Sequence, residues 1–401
     1  MAEFIARSRA RNMKSIFPAA ANPFFVQTRF GDHDELCALI QGGSAEFIQK
    51  GRGAFEGDFT FIGLDAGTLQ FGYIKLPYLG RGASSVERLG FLVRLDLRGD
   101  WIWRGQTLDR RSIIYFAPRA EYQDNSPGNS SWAFLSFNRP SLERAMADIA
   151  AIDASLPAQG LRLFLPQADA FEVLRRRLKA VQAAAQTDPS LLQVPEARRG
   201  VEESVLAALA LALGSASRIR PADDGAATRL RVTRLVDAHL DTHRGEAVYL
   251  SDLCAVAGVG ERTLRTVFQE TYGMSPVQYL KLRRLHQVKR ALRRADSDLN
   301  TVQSVANRFG IWHLGRFAVE YRALFGESPR ETLKKPVPAG KRRTVAGSGS
   351  PLPVNRFLVF RSVSRAPIHP RTRGATSGGD EARASGRRGS AATRRRRTVG
   401  R

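Results

Sequence analysis

The sequence predicts an α+β protein: a β-rich, barrel-like N-terminal part, helices following it, and an all-α C-terminal part. Three observations predict this. Between about residues 45 and 137, short apolar runs alternate with period two and are cut by Gly, Pro and Asp. From 141 to 215 and again from 229 to 335, apolar residues recur at helical spacing. In the second of these stretches a helix, a glycine turn and another helix occur twice. The two copies are 53 residues apart, and Leu264/Phe317 and Phe268/Tyr321 keep the offset.

Residues 1–30 carry no clear period and are expected to be irregular. The β-rich segment is expected over 31–140. Its candidate strands are Ala45–Gln49, Phe59–Leu64, Leu69–Ile74, Gly90–Leu97, Trp101–Arg104, Ile113–Ala117 and Trp132–Phe137, rich in aromatic and β-branched residues. A helical region is expected over 141–216, with helices at Ser141–Ile152, Ala168–Gln186 and Pro195–Leu213. The stripe of Val205, Leu206, Leu209 and Leu213 fits packing within the chain or a homodimer interface. Residues 217–228, with Pro221, Asp223, Asp224 and Gly225, read as a linker. Residues 336–401 are rich in Arg, Gly, Ser and Pro and cannot bury enough apolar surface to fold, so a disordered basic tail is expected there.

Charge is distributed unevenly. The 401-residue chain has 62 Lys and Arg against 38 Asp and Glu, a net charge of +24. Residues 336–401 carry 16 basic and 2 acidic residues, residues 228–335 carry 19 and 11, and the remainder is nearly balanced. A polyanionic partner met through the C-terminal side follows. Other classes are excluded. Cys37 and Cys254 cannot build a disulfide framework. The longest strongly apolar stretch, Val205–Leu213, falls short of the roughly 20 residues that span a membrane. A cytoplasmic protein with no membrane partner is expected. There is no P-loop and no G-x-S-x-G, and Gly51–Glu56 fails a dinucleotide fingerprint. His239 and His243 sit four apart without an H-E-x-x-H frame, and His33 is the one histidine before them, so no metal and no cofactor are expected. No catalytic constellation is present, and a non-enzyme is expected.

The first repeat unit runs over Leu250–Phe268. Ser251 caps a short helix to Ala257, Gly258 makes the turn, and a second helix starts near Glu261. Leu264, Val267 and Phe268 face inward. Glu261, Arg262, Arg265, Thr266 and Gln269 are left outside. In the second unit Thr301 caps the first helix, Gly310 makes the turn, and Leu314, Phe317 and Tyr321 face inward. Trp312, His313, Arg316, Val319 and Glu320 are left outside. Each unit closes on Gly-x-Ser-Pro, a serine cap followed by proline at the first helical position. This is a helix-turn-helix made twice. Arginine reaches guanine bidentately and glutamine reaches adenine, so double-stranded DNA is the matching polyanion. Between the units, Pro276–Arg294 has an apolar side and a basic one of Lys281, Arg283, Arg284, Lys289, Arg290, Arg293 and Arg294. The basic side fits a solvated helix face or contact with phosphate. At about 1.5 Å per residue this helix is roughly 28 Å long, enough to hold two outward helices near successive major grooves.

Leu253, Gly258, Leu264, Phe268, Gly273, Ser275-Pro276, Tyr279-Leu280, Arg284-Leu285, Ala306, Gly310, Phe317, Phe325-Gly326 and Ser328-Pro329 make residues 229–335 resemble the DNA-binding domain of the AraC/XylS transcriptional regulators. The resemblance implies that Arg262, Arg265 and Thr266 in the first unit, and Gly315, Arg316 and Val319 in the second, occupy base-reading positions. It also implies a small-molecule effector sensed by the β-rich domain, dimerising helices at 141–216, promoter DNA as target, RNA polymerase as partner, and activation. Gly260 departs from the family's usual serine cap, and Gly315 and Val319 have no polar side chain to offer a base. The aromatics Tyr73, Tyr78, Trp101, Trp103 and Tyr115 are candidates for an effector pocket or for the core; no effector-binding residue is assigned. Two other readings remain at this point: a ligand-independent architectural DNA binder, and a β-barrel enzyme fused to a DNA-binding domain.

Overall fold

The computed structural model describes residues 24–335, apart from 97, 151–155, 220–224, 244, 245 and 247. The basic segment 336–401 and most of the expected irregular N-terminus lie outside the described residues.

The α+β class and the two-part layout are observed. Strands β1 (Phe25–Phe30), β3 (Gly57–Gly63), β4 (Gly67–Ile74), β6 (Leu89–Arg94), β9 (Ile113–Phe116) and β11 (Ser130–Phe137) join β12 (Leu161–Leu165) and β13 (Ser217–Ile219) in an eight-stranded sheet. Its order is β1-β3-β4-β11-β6-β9-β12-β13. A smaller sheet has the order β2-β5-β10-β7-β8, from β2 (Ser44–Gln49), β5 (Tyr78–Ala83), β7 (Ile102–Trp103), β8 (Gln106–Thr107) and β10 (Glu121–Ser126). Neighbouring strands run antiparallel. The barrel does not close: among the described residues no strand of one sheet pairs with a strand of the other. The large sheet is instead an inner layer, and β6 is buried at every position. Expectations change at both edges of this sheet. β1 lies in the stretch expected to be irregular; Phe25, Phe30 and the pairing with β3 hold it. β13 takes up the start of the expected linker, because Ser217–Ile219 extends the large sheet beside β12.

Helices α2 (Arg139–Ala150), α3 (Ala168–Thr187) and α4 (Pro195–Gly214) cover the outer face of the large sheet, with a 3₁₀ turn at Pro189–Gln193 between the last two. Leu142, Phe171, Leu174, Leu178, Val205, Leu206, Leu209 and Leu213 share one core with Leu69, Phe91, Val93 and Leu135 of the strands. The α4 stripe is therefore spent within the chain. The first helix begins two residues earlier than expected, with the Asn138 side chain accepting from the Ser141 amide at 2.9 Å. A second core fills the space between the sheets. Phe30, Phe59, Ile74, Phe116 and Trp132 of the large sheet meet Phe47, Tyr78 and Trp103 of the small one. Helix α1 (His33–Leu39), capped by Asp32, joins β1 to β2 and buries Leu36 and Leu39 in that core.

The C-terminal part is helical: α5 (Gly225–Thr242), α6 (Leu250–Ala257), α7 (Glu261–Tyr272), α8 (Pro276–Arg294), α9 (Val302–Asn307), α10 (Leu314–Phe325) and α11 (Pro329–Lys334). Both turns follow the expected chemistry. Gly258 and Gly310 adopt left-handed φ of +64° and +70°, where a side chain would strain the backbone. Ser275 and Ser328 each accept from the amide three residues on, while Gln278 and Glu331 return the bond to the cap's own amide. The α6 cap differs. The helix starts one residue before Ser251, and Asp252 accepts from the Tyr249 amide at 2.8 Å. Leu253, Leu264, Val267, Phe268 and Tyr279 build the core of the first unit; Val305, Phe317, Tyr321 and Phe325 build that of the second.

Candidate nucleic-acid interface and the sheet behind it

Periodicity in α7 decides which side chains remain free. Leu264, Val267, Phe268, Thr271 and Tyr272 are buried, which leaves Arg262, Arg265, Thr266 and Gln269 exposed on the opposite face. Arg265 is paired with Glu261 one turn away, its Nε donating at 2.8 Å, and Thr266 donates to the Arg262 carbonyl at 3.1 Å. Arg262 projects from the first turn. In the second unit α10 begins at Leu314, so Trp312 and His313 stand ahead of the helix, with His313 in the capping position. Trp312 and Val319 are each 71% exposed. Gly315 and Arg316 are exposed as well. Glu320 is only half-buried: it accepts from Arg316 at 2.9 Å and from Lys281 at 2.6 Å. These two cations hold its carboxyl below the usual range against the opposing effect of burial. The ten outward positions thus divide between two helix faces whose acidic members are each paired to a cation.

The basic side of α8 is placed differently. Arg283 and Lys289 are buried, and Arg290 and Arg293 are mostly covered. Arg283 donates to Asp237 at 2.9 Å and to Asp241 at 2.6 Å. Lys289 lies 3.2 Å from Asp32; Arg290 donates to Asp34 at 2.9 Å and to Glu46 at 2.6 Å; Arg293 reaches Glu35 at 3.4 Å. Neither expected reading of this charge run describes these four. They bind helix α8 to α1 and β2 of the N-terminal part, or to α5 beside it. Only Lys281 and Arg294 of the set are exposed, and Arg284 is half-buried.

The small sheet is the wall on which the helices rest, and strand alternation gives it two faces. On β10, Tyr122 and Asp124 line a cleft between the sheets, while Gln123 and Asn125 point the other way. Gln123 donates to Asp237 at 3.0 Å and accepts from Thr233 at 2.9 Å. Asn125 accepts from Lys50 at 2.5 Å and donates to the Thr271 carbonyl at 3.4 Å. On β2 and β5, Phe47 and Tyr78 line the cleft, while Ile48 and Leu79 belong to the core of the first helix-turn-helix unit. Arg81 donates to Glu46 at 2.6 Å and to Asp241 at 2.9 Å. Asp237 also accepts from Tyr272 at 3.2 Å and from Tyr279 at 2.6 Å, so one carboxylate ties α5, α7, α8 and β10 together. The second unit is tied down by the Leu324 carbonyl, which accepts from the Gly53 amide at 3.1 Å and from Gln49 at 2.5 Å.

Beside these pairs His33 and His286 meet, buried from both sides. Asp32, His33 and Asp34 form the one group of three among the described residues that brings metal-ligating atoms together. Lys289 and Arg290 lie against its carboxylates, so it forms part of the ion-paired contact. The His239 and His243 rings meet at a tilt near the end of α5, centroids 4.1 Å apart, with the His243 ring against the His239 carbonyl at 2.9 Å. Of the five aromatics considered for a pocket, Tyr78, Trp101 and Trp103 line the cleft. Tyr73 instead donates to Asn129 at 3.0 Å, and Tyr115 to the Pro157 carbonyl at 2.7 Å. Phe47, Tyr122, Asp124 and Trp132 also line it and were not singled out by sequence. The period-two alternation of β2 and β10 was the available signal for Phe47, Tyr122 and Asp124.

The chain is similar to several known proteins. A helix-turn-helix domain model matches residues 253–335. The probable thc operon regulatory protein of Rhodococcus erythropolis is 35% identical over 103 residues, covering 26% of this chain and 31% of that protein, less than a third of its length. XylDLEGF operon transcriptional activator 3 of Pseudomonas putida is 25% identical over 338 residues, covering 82% of this chain and 94% of the relative. Among solved structures, the AraC-like transcriptional activator CuxR matches with 11% identity and a TM-score of 0.35, over 66% of this chain and 94% of that one. Fatty-acid-bound ToxT of Vibrio cholerae matches with 8% identity and a TM-score of 0.24, over 79% and 97%. No helix among the described residues is long and apolar enough to cross a membrane.

Proposed function

With a C-terminal domain of the AraC/XylS type, the chain belongs with those transcription regulators, and we propose that it is a cytoplasmic, effector-responsive activator that reads promoter DNA with α7 and α10. The observation that carries this reading is the pair of exposed helix faces. Arg262 and Arg265 on one, with Arg316, Trp312 and His313 at the other, are presented by two units that each turn at a left-handed glycine and close on a serine–proline cap. Arg262, Arg265, Thr266 and Gln269 read bases in one major groove. Gly315 and Val319 offer no polar group, so the second unit relies on Arg316, His313 and phosphate contacts, with Glu320 paired away from the DNA. Recruitment of RNA polymerase and assembly as a homodimer complete the reading; the names of the operon activators among the relatives support activation.

The effector site in this reading is the cleft between the sheets. A ligand pressing on Tyr122 or Asp124 moves β10, and Gln123 and Asn125 on the same strand hold Asp237, Thr233 and Thr271 of the DNA-binding part. The strand is the mechanical link. The experiment is capture of sheared genomic DNA by the full chain at about 150 mM salt, where purely electrostatic binding is weakened. A few promoter fragments with two half-elements about one helical turn apart are expected. Uniform recovery would refute sequence-specific reading and favour an architectural binder.

A further inference from the structure

The cleft is a narrow cavity of about 70 Å³ between the two sheets. Its walls are aromatic: Phe47, Tyr78, Trp101, Trp103, Tyr122 and Trp132 all line it. Trp103 and Tyr122 stack with ring centroids 5.8 Å apart. Among these rings stands one carboxyl group, that of Asp124, and among the described residues no Lys, Arg or His lines the cleft. Asp124 is 6% exposed. It accepts from Trp101 Nε1 at 2.9 Å and makes no ion pair among the described residues. Arg94 sits over the Trp101 ring at 5.5 Å, but its guanidinium donates to the carbonyls of Arg98 and Gly99.

On the reading of the cleft as the effector site, we propose that it takes an organic cation, an ammonium group on an apolar body, with Asp124 as its counter-charge. A buried carboxylate without a cation is costly, and a ligand ammonium removes that cost. The π-faces of tryptophan and tyrosine attract the same cation, most strongly where water is excluded. A ligand carboxylate would meet Asp124 with like charge and find no arginine or lysine to receive it. Burial already pushes the Asp124 carboxyl up to about 7, against the lowering effect of the Trp101 hydrogen bond. The group therefore sits where a neighbouring cation completes its ionisation. The alternation of β10 gives the ligand its output: the charge that Asp124 gains is one residue from Gln123 and from Asn125.

The test uses tryptophan emission from the full chain carrying Trp312→Phe, so that Trp101, Trp103 and Trp132 at the cleft report. Three probes that share a phenylethyl body are titrated: 2-phenylethylammonium, 2-phenylethanol and 3-phenylpropanoate. The ammonium is expected to bind at least about tenfold more tightly than the alcohol, with the propanoate weakest. Asp124→Asn keeps an acceptor for Trp101 and is expected to remove the ammonium's advantage while leaving alcohol binding in place. Preference for the propanoate, an ammonium advantage that survives in Asp124→Asn, or no saturable change with any probe up to about 10 mM would each overturn the assignment. None of these outcomes touches the DNA-binding reading, which the genomic capture decides separately. Should Asp124→Asn fail to fold, the ranking of the three probes on the parent still decides.

Discussion

His286 of helix α8 lies against His33 of helix α1, Nδ1 to Nε2 at 3.3 Å, with ring centroids 4.6 Å apart, and both residues are buried. His286 Nε2 faces the Gln49 carbonyl at 3.1 Å. These partners assign the proton on each Nε2, so His33 donates to His286 and His286 donates to Gln49. His286 must be neutral for this chain to form, because its Nδ1 accepts. Burial lowers the pKa of His33 to about 3 and holds that of His286 well below its usual value, and the Lys289 and Arg290 cations beside both rings act in the same direction.

A pH dependence follows. Both folded-state values lie below the ordinary one, so the unfolded chain takes up protons first as the pH falls. The stabilisation is complete above about pH 6.5 and is lost progressively below it, by up to about 1.4 kcal/mol per pH unit for each ring. Asp32, Asp34 and Glu46 face the pair with opposite charge and temper the slope. Urea midpoints at pH 7 and pH 5.5 are expected to differ, and His286→Gln is expected to flatten the difference. An unchanged slope in that variant would contradict the assignment.

Asp237 is the shared acceptor for Gln123, Tyr272, Tyr279 and Arg283. Asp237→Asn leaves the buried Arg283 cation with Asp241 as its remaining ion-pair partner among the described residues, and a loss of about 3–5 kcal/mol in unfolding free energy is expected. Equilibrium urea unfolding measures it. A loss below about 1 kcal/mol would mean that Asp241 suffices as partner.

Arg262→Ala is expected to relax preference at one base position of the operator and to cost about 1–3 kcal/mol there. Competition binding against random DNA reads this, and equal weakening on both DNAs would reduce Arg262 to a phosphate contact.

The α8 cations separate into two groups in a salt titration. Arg294→Gln, at an exposed position, is expected to lower the slope of log affinity against log salt by about 1 if it meets phosphate. Arg290→Gln is expected to leave the slope unchanged, because its partners are Asp34 and Glu46. A slope change for Arg290 would mean that the domain contact opens on DNA.

Gly326 closes α10 with a φ of +74°, and a Cβ there would stand 2.7 Å from the Ala54 amide nitrogen and 3.1 Å from the Gly53 carbonyl carbon. Both obstacles are backbone, so Gly326→Ala is expected to destabilise by about 1–3 kcal/mol. Gly310→Ala shares the left-handed backbone but meets nothing within 4 Å, so a smaller loss is expected from it. Thermal unfolding of the two variants side by side checks the contrast.

The C-terminal part was legible because its signals are local. Gly258 and Gly310 mark turns, Ser275-Pro276 and Ser328-Pro329 mark starts, and the buried faces follow one helical period. The two-part α+β layout was legible for the same reason. What escaped depends on pairings across long stretches of sequence. No local pattern shows that His33 meets His286, that Arg290 meets Glu46, or that a run of helix cations is used inside the protein. The cleft was half legible. Trp101 and Trp103 drew attention as aromatics, but Asp124 stands in a polar run, Gln123-Asp124-Asn125, that reads as surface until both faces of β10 are seen to be covered.

If the cleft takes a ligand as proposed, a five-stranded sheet that is at once its floor and the seat of the helix-turn-helix units makes coupling a matter of shared energy rather than of a tether. If occupying the cleft tightens the grip on an operator by some factor, holding the operator must tighten the grip on the ligand by the same factor. Operator-bound protein would then hold its effector more tightly than protein free in solution. The promoter would in this way act on the ligand as surely as the ligand acts on the promoter.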